Sequence, residues 1–279
     1  MEIKILVTGV EGYIGSLVYK QLEIFSRYSF MNPGRSPNMF VRPIYYLDEI
    51  NVSRIKNENY DFIFHCAVYG GRRFDIDDSL VYQKNLQIYN LVKNLNCNKI
   101  IHFTSAADFG REKDINLFLP SEVLNFIPSD FFGKVKNEIC RDILINNRGL
   151  NLRIFNIYGL DILNSNNFID NIIKQCFLNE NITLEEDRYF DIFNIQNLKH
   201  ILDLIINYQL TQDYNLVHNT KYKISDFIYF IINQIGSKST LKILNLGKCY
   251  TGDNIMKISK IDNIDPVNDL EKYIKSTFL

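Results

Sequence analysis

Tryptophan is absent from the 279 residues, proline occurs only 6 times and glycine 13 times. Such frugality excludes collagen-like repeats and Pro/Gly-rich disordered tracts. The 5 cysteines (Cys66, Cys97, Cys140, Cys176 and Cys249) are scattered, odd in number and without a CxxC pair. That argues against a disulfide framework or a zinc site and points to a reducing, cytoplasmic compartment. His200 and His218 lack partners at metal-ligand spacing, and no metal is expected. A surplus of charge is missing too: Lys+Arg 31 against Asp+Glu 32 leaves -1, so neither nucleic acid nor a membrane surface is an expected partner. No apolar run approaches the roughly 20 residues that cross a bilayer. Ile3–Val7 is broken by Lys4 and too short for a signal-peptide core. What is present is ordinary globular material, 46% hydrophobic and 23% charged, enough for one large domain or a domain with a lobe. A small ligand is the default partner.

Ile3–Thr8 is a short β-rich run, followed by Gly9, Gly12 and Gly15 and then by helical spacing over Ser16–Phe25. Further strand patterns lie at Arg42–Leu47, Asp61–Cys66, Lys99–Thr104 and Leu150–Ile157, with helical stretches at Asp78–Leu95 and Phe131–Asn146. Alternating strands and helices predict parallel βαβ units, an α/β doubly wound sheet. Pro33–Pro37 reads as a loop. After Gly159 the alternation weakens into helical patches at Phe168–Phe177, Leu198–Tyr208 and Ser225–Ile235. The expected organisation is a dinucleotide-binding domain over 1–159 and a smaller lobe over 160–279, with an approximate boundary and room for the two to interleave.

Thr8-Gly9-Val10-Glu11-Gly12-Tyr13-Ile14-Gly15 stands directly after a strand and opens a helix. In such a turn the first glycine permits the bend, the second lets a pyrophosphate approach the backbone and the third lets the helix pack on the sheet. The helix N-terminus then presents N–H groups and a positive dipole end to the phosphates. An NAD site usually carries an acidic residue about 20 positions on. Here no Asp or Glu occurs between Glu23 and Asp48, whereas Arg35 and Arg42 do. Arg35, beside Ser36, suits the 2′-phosphate of NADP; a solvated surface arginine is the alternative.

Several motifs in order give the chain a resemblance to the extended short-chain dehydrogenase/reductases of the nucleotide-sugar epimerase, dehydratase and ketoreductase type. Leu47-Asp48 resembles the adenine-contacting position after the third strand, and Asp61–Ala67 the fourth strand, ending beside the cofactor. Phe103–Gly110 is similar to the fifth strand and its active-site loop, with Ser105 at the catalytic hydroxyl. Leu152–Gly159 resembles the sixth strand, whose Asn, here Asn156, contacts substrate. Arg188–Asp191 and Tyr250–Asp253 extend the likeness. The resemblance implies a Rossmann-type fold, NADP (or NAD) held by Gly9, Gly12, Tyr13, Ile14, Gly15, Arg35, Ser36, Asp48, Ala67, Asn85 and Lys136, and a nucleotide-sugar touched by Tyr69, Arg72, Asn156 and Arg188. It also implies a homodimer that packs Asp78–Leu95 and Phe131–Asn146 into a four-helix bundle with their mates.

The family's Tyr-x-x-x-Lys is altered. Lys136 falls at the lysine and Phe132 at the tyrosine. Tyrosine has a pKa of about 10, and a neighbouring ammonium lowers it towards working pH. Phenylalanine keeps the ring and loses the proton. Three accounts of Phe132 stand: an engineered substitution, a natural one in which Tyr69, Thr104, Asp108 or a water donates instead, or a non-catalytic binder. Ala106 and Ala107 occupy the places of a dehydratase's acid–base pair and of an epimerase-reductase's cysteine. Two activities survive: NADPH-dependent reduction of a 4-keto nucleotide-sugar in surface-polysaccharide biosynthesis, favoured by Arg35 and by the Gly70–Arg73 stretch, and 4-epimerisation with tightly bound NAD. A cofactor-binding sensor or scaffold is the alternative of another class.

Overall fold

Short β-branched runs between amphipathic helices settle into a parallel sheet. The structure is a computed structural model that describes residues 3–22, 26–31, 44–46, 55–70, 78–159 and 167–278, with only the backbone for 26–31 and 44–46. The chain forms two units that interleave along the sequence. One comprises Met1–Glu112, Val123–Arg153 and Leu202–Tyr214; the other comprises Lys113–Glu122, Ile154–Ile201 and Asn215–Leu279. The division is therefore no single cut at residue 159.

In the first unit the strands lie in the order Ile44–Tyr46, Ser26–Met31, Ile5–Thr8, Asn59–His65, Asn96–Ser105, Gly149–Ile154, and a strand beginning at Tyr214 follows at the edge. The pairings from Ile44–Tyr46 through to Asn96–Ser105 are parallel. The order reverses between Ile5–Thr8 and Asn59–His65, and a crevice at the carboxyl ends of two such strands is where doubly wound sheets take ligands. The strand pattern expected over Arg42–Leu47 is present as Ile44–Tyr46; Arg42 and Leu47 lie outside the described residues, as does Pro33–Pro37. Ser26–Met31 completes the order.

The helices start where a side chain can cap them. Asp78 accepts from Leu80 N at 2.8 Å ahead of Ser79–Lys93. Asp130 accepts from Gly133 N at 2.6 Å ahead of Phe131–Ile145. Their apolar faces meet the sheet in a core of Leu6, Ile63, Tyr89, Val92, Ile100, Val135, Ile139 and Ile143. Each such side chain contributes about 1.5–3 kcal/mol on burial.

The run expected as one strand, Leu150–Ile157, is broken. Gly149–Ile154 belongs to the large sheet, while Ile157–Tyr158 pairs in parallel with Phe193–Asn194 in the second unit. The Asn156 carbonyl accepts from Phe193 N at 2.9 Å, which holds the new course. The second unit has a core of Ile169, Ile172, Ile173, Leu184, Phe227, Ile228, Ile231, Leu270 and Ile274, drawn largely from Phe168–Phe177, Ile224–Ile235 and Pro266–Phe278. A buried Asp191 carboxylate there binds Lys221 Nζ at 2.7 Å and Gly252 N at 2.8 Å.

The deepest polar feature of the first unit is an ion pair. Arg153 and Asp108 are both fully buried, with Nε donating to Oδ1 at 2.8 Å and to Oδ2 at 3.0 Å. Thr104 Oγ1 donates to Oδ2 at 2.9 Å, and the guanidinium lies over Phe109 at 4.3 Å. Asp108→Asn should lower the unfolding free energy by about 3–5 kcal/mol, because it leaves a buried guanidinium without its counter-charge. Asp108→Leu with Arg153→Met should recover most of that loss. Urea unfolding midpoints decide it; a single-variant loss below about 1 kcal/mol would put the pair in the class of exposed ones.

Candidate active site

The glycines of the first turn do different jobs. Gly9 has φ +70°, and a Cβ on it would lie 2.6 Å from Ala67 Cα, so the ends of two neighbouring strands meet there. A Cβ on Gly15 would lie 2.0 Å from the Gly9 carbonyl oxygen, so helix and turn are in backbone contact. Gly12 is the exception: its Cβ would meet only the Gly9 oxygen, at 3.2 Å. A side chain at 12 is tight against that oxygen but, among the described residues, its Cβ meets no other atom, and the space left there is what a pyrophosphate needs. Gly12 also caps Tyr13–Gln21 without a side-chain bond, and no acidic residue stands in the first turn. A dinucleotide's pyrophosphate fits this cradle, and Tyr13 and Ile14, both half-buried, open the helix beneath it.

Thr8 fastens the strand ends. Its Oγ1 accepts from Ala67 N at 3.1 Å and shares a hydrogen bond with His65 Nδ1 at 3.0 Å. Asn85 fixes the segment that follows: its Oδ1 accepts from Tyr69 N at 2.9 Å, and its Nδ2 donates to the carbonyls of Tyr69 at 2.8 Å and Val81 at 2.7 Å. With both donors spent on backbone, Asn85 shapes the wall of the crevice. Tyr69 is left exposed.

Ser105 ends its strand at the same edge of the sheet, half-buried, and accepts from Ala107 N at 3.3 Å. Ala106 and Ala107 are fully buried. A Cβ on Gly133 would lie 2.6 Å from the Ala107 oxygen, so the helix carrying Phe132 and Lys136 abuts the Ser105 turn directly. Phe132 packs against Val81 and Ala107. Lys136 is buried, its Nζ donating to the Phe103 carbonyl at 2.9 Å and standing 6.0 Å from the Phe132 ring centre. Burial lowers its ammonium from 10.5 to about 8, although Asp108 pulls the other way. Burial, then the Lys136 charge, lowers His65 to about 3, and burial foremost holds His102, whose ring lies 5.2 Å from that of His65, well below its usual value.

Two of the donors considered in place of a phenol are removed. Thr104 gives its proton to Asp108, and Asp108 is locked to Arg153 without solvent contact. Arg35, Ser36, Asp48 and Arg72 lie outside the described residues. Asn156 and Arg188 belong to the second unit. There Asn156 Oδ1 and Arg188 Nε are buried without a hydrogen-bond partner among the described residues, and the Arg188 guanidinium stands 5.9 Å from the Tyr250 ring. Among the described residues no cluster of metal-ligating side chains exists, and no helix is long and apolar enough to cross a membrane. Arg111, passed over in the sequence, places its guanidinium 5.4 Å from the Phe132 ring centre.

The glycine geometry separates folding from binding. Gly12→Val should keep the fold and abolish binding of nicotinamide dinucleotides, measured by calorimetry on a variant with an unchanged unfolding midpoint. Gly15→Val should fail at the folding stage instead, because its side chain meets backbone. Normal cofactor affinity in folded Gly12→Val would show that the turn is only structural.

The sequence profile of the NAD-dependent epimerase/dehydratase family matches residues 5–205. No curated protein is matched by the sequence. Among solved structures the chain is similar to the UDP-glucose 4-epimerase of Thermotoga maritima with UDP-glucose (15% identity, TM-score 0.76, covering 99% of this chain and 100% of that one). It is similar also to the UDP-N-acetylglucosamine 4-epimerase of Methanobrevibacter ruminantium in complex with UDP-N-acetylmuramic acid (19%, 0.77, 99% and 97%). A third is the ADP-L-glycero-D-manno-heptose-6-epimerase of Helicobacter pylori (17%, 0.75, 99% and 96%). With a glycine cradle at the switch point of a doubly wound sheet and a family profile over most of its length, the chain belongs to the NAD-dependent epimerase/dehydratase family.

Proposed function

We propose that the protein is a nucleotide-sugar 4-epimerase in which Lys136, and no phenol, carries the proton at the sugar. The observation that carries this reading is the Lys136 ammonium itself, buried beside the Phe132 ring and lowered to about 8. A group that titrates near neutrality can both take and return a proton. The 4-epimerases among the similar structures support the same reaction. The bound nicotinamide would supply reversible two-electron chemistry at the sugar carbon. Glycines 9, 12 and 15 would seat its pyrophosphate, Lys136 would also hold its ribose, and Ser105 would hydrogen-bond the reacting oxygen.

A second reading, reduction of a 4-keto nucleotide-sugar with NADPH, is favoured by Arg35 and by the lack of any Asp or Glu between Glu23 and Asp48. It would serve surface-polysaccharide synthesis. In either case a homodimer is supported by the pairing of Ser79–Lys93 with Phe131–Ile145. Beside these helices runs a groove of about 440 Å³ lined by Tyr82, Ile127, Phe131 and Glu138 among others, with Ile127 widely exposed.

The two reactions differ in the sign of their pH dependence. Epimerisation starts from a hydroxyl and needs the free amine, so its rate should rise as pH passes about 8. Reduction of a 4-keto sugar needs the ammonium, so its rate should fall over the same range. Interconversion of UDP-glucose and UDP-galactose, or of their N-acetyl counterparts, at increasing pH without added reductant is the assay. No interconversion, with NADPH oxidation on a 4-keto sugar, would replace the first reading by the second.

Lys136→Met should cost at least ~10² in kcat. The same change should stabilise the fold at pH 7 by about 1–3 kcal/mol. The folded value, about 8, lies below the unfolded 10.5. The penalty of the buried ammonium is therefore complete below pH 8 and fades as pH climbs towards 10.5. Phe132→Tyr should raise kcat by no more than about 10-fold, with KM little changed, because a proton carrier is already in place. A gain on the order of 10²–10⁴ would instead mark Phe132 as a disabled phenol site.

A further inference from the structure

The geometry points to Arg111 as a substrate-binding residue that holds a carboxylate on the sugar, so that the substrate class is a nucleotide-linked uronic acid. The inference rests on the reading of this site as that of a nucleotide-sugar enzyme. Phe132 stands at the family's catalytic tyrosine, whose ring faces the reacting sugar. Arg111 Cζ lies 5.4 Å and Lys136 Nζ 6.0 Å from the centre of that one ring, whose other neighbours are Val81 and Ala107.

The position of Arg111 is built by the chain. Gly110, at φ +94°, turns out of the Ala106–Phe109 helical turn, with its N–H donating to the Ala107 carbonyl at 3.0 Å, and sends Arg111 back onto the ring. Gly110 is held to glycine by that φ; the Glu112 carboxylate, 2.9 Å from where its Cβ would be, is the far end of a flexible side chain that can move aside. The anions nearby are committed elsewhere or lie outside. Asp108 is bound to Arg153, Asp130 caps Gly133 N, and Glu112 is exposed. Among the described residues no hydrogen bond or ion pair engages the half-buried Arg111 guanidinium.

Two cations thus share one buried ring with no carboxylate between them. A guanidinium offers five donors in a planar fork that matches a carboxylate bidentately. The same reasoning accounts for Phe132. A phenolate at that place would repel a substrate carboxylate, whereas a phenyl ring lets it approach the Arg111 guanidinium. The dinucleotide's pyrophosphate has its own seat at Gly12, and the substrate's diphosphate is common to a uronate and its parent hexose, so a carboxylate on the sugar is the anion that would set the two apart.

Calorimetric titration of the NAD-loaded protein with two matched pairs tests this: UDP-glucuronate against UDP-glucose, and GDP-mannuronate against GDP-mannose. Within one pair the uronate should bind ~10–100-fold more tightly. Arg111→Gln should bring that uronate to within ~2-fold of its hexose, leave the hexose affinity unchanged, and keep the unfolding midpoint; Arg111→Lys should restore part of the preference. Equal affinity for both members of a pair, or a preference that survives in Arg111→Gln, overturns the role of Arg111 alone and leaves the nucleotide-sugar reading standing. Failure of all four ligands to bind overturns both.

Discussion

The buried Asp108–Arg153 pair sets the height of the site. Asp108 sits in the short helical turn that begins at Ser105, and Arg153 ends the neighbouring strand. Asn137 adds a second grip on the same turn: its Nδ2 donates to the Asp108 carbonyl at 2.8 Å and to the carbonyls of Val123 and Phe126, each at 3.0 Å. Turn, strand and helix are thus joined below the reacting groups. Gly133 then lets the helix close on the Ala107 oxygen, which fixes where Phe132 and Lys136 stand relative to Ser105. A buried ion pair is a poor source of net stability, since desolvation consumes most of the attraction. Its value here is geometric, because neither partner can move without stranding the other.

Around that frame the electrostatics set Lys136 apart from its buried neighbours. His65 and His102 stand close to Lys136, yet burial and the lysine's own charge keep both rings neutral at any working pH. Asp108 is spent on Arg153. Among these neighbours Lys136 is the group whose value is brought down to about 8, because its desolvation is only partly offset. The fold therefore carries a strained cation at the end of the sheet, and a group whose charge is poised by burial is the signature of chemistry more than of packing.

Much of this was legible in the sequence, and the remainder was illegible for definite reasons. The glycine turn announced itself because its residues are contiguous and each spacing has a local cause. The alternation of strands and helices gave the doubly wound sheet, and Phe168–Phe177 has the limits that its periodicity predicts. What periodicity cannot express is a contact between distant residues. Asp108 read as a spare proton donor because its partner, Arg153, lies on another strand. Asn85 read as a cofactor contact, while its side chain is taken up by the backbone of Tyr69 and Val81. The strand pattern runs on past Ile154, because Phe155 and Ile157 are as buried as the residues before them, although the chain there changes unit. Arg111 carried no signal, since a lone arginine after a glycine looks like any loop residue.

The same hierarchy of constraints explains how a chain only 15–19% identical to its structural relatives keeps their fold and yet carries Phe132 where the family resemblance implies a tyrosine. The positions under the tightest rule are those where backbone meets backbone, among them Gly9 on Ala67, Gly15 on Gly9, Gly133 on Ala107 and Gly149 on Ile100. A side chain at any of these displaces whole elements. Phe132 is under a looser rule. Its ring packs between the side chains of Val81 and Ala107, with no backbone contact that fixes its identity, and the charges beside it bear on the choice between phenylalanine and tyrosine. A phenol beside a buried ammonium tends towards phenolate and neutralises it. A phenyl ring leaves the ammonium of Lys136 offset only in part, by Asp108, and leaves the guanidinium of Arg111 beside the same ring without a phenolate.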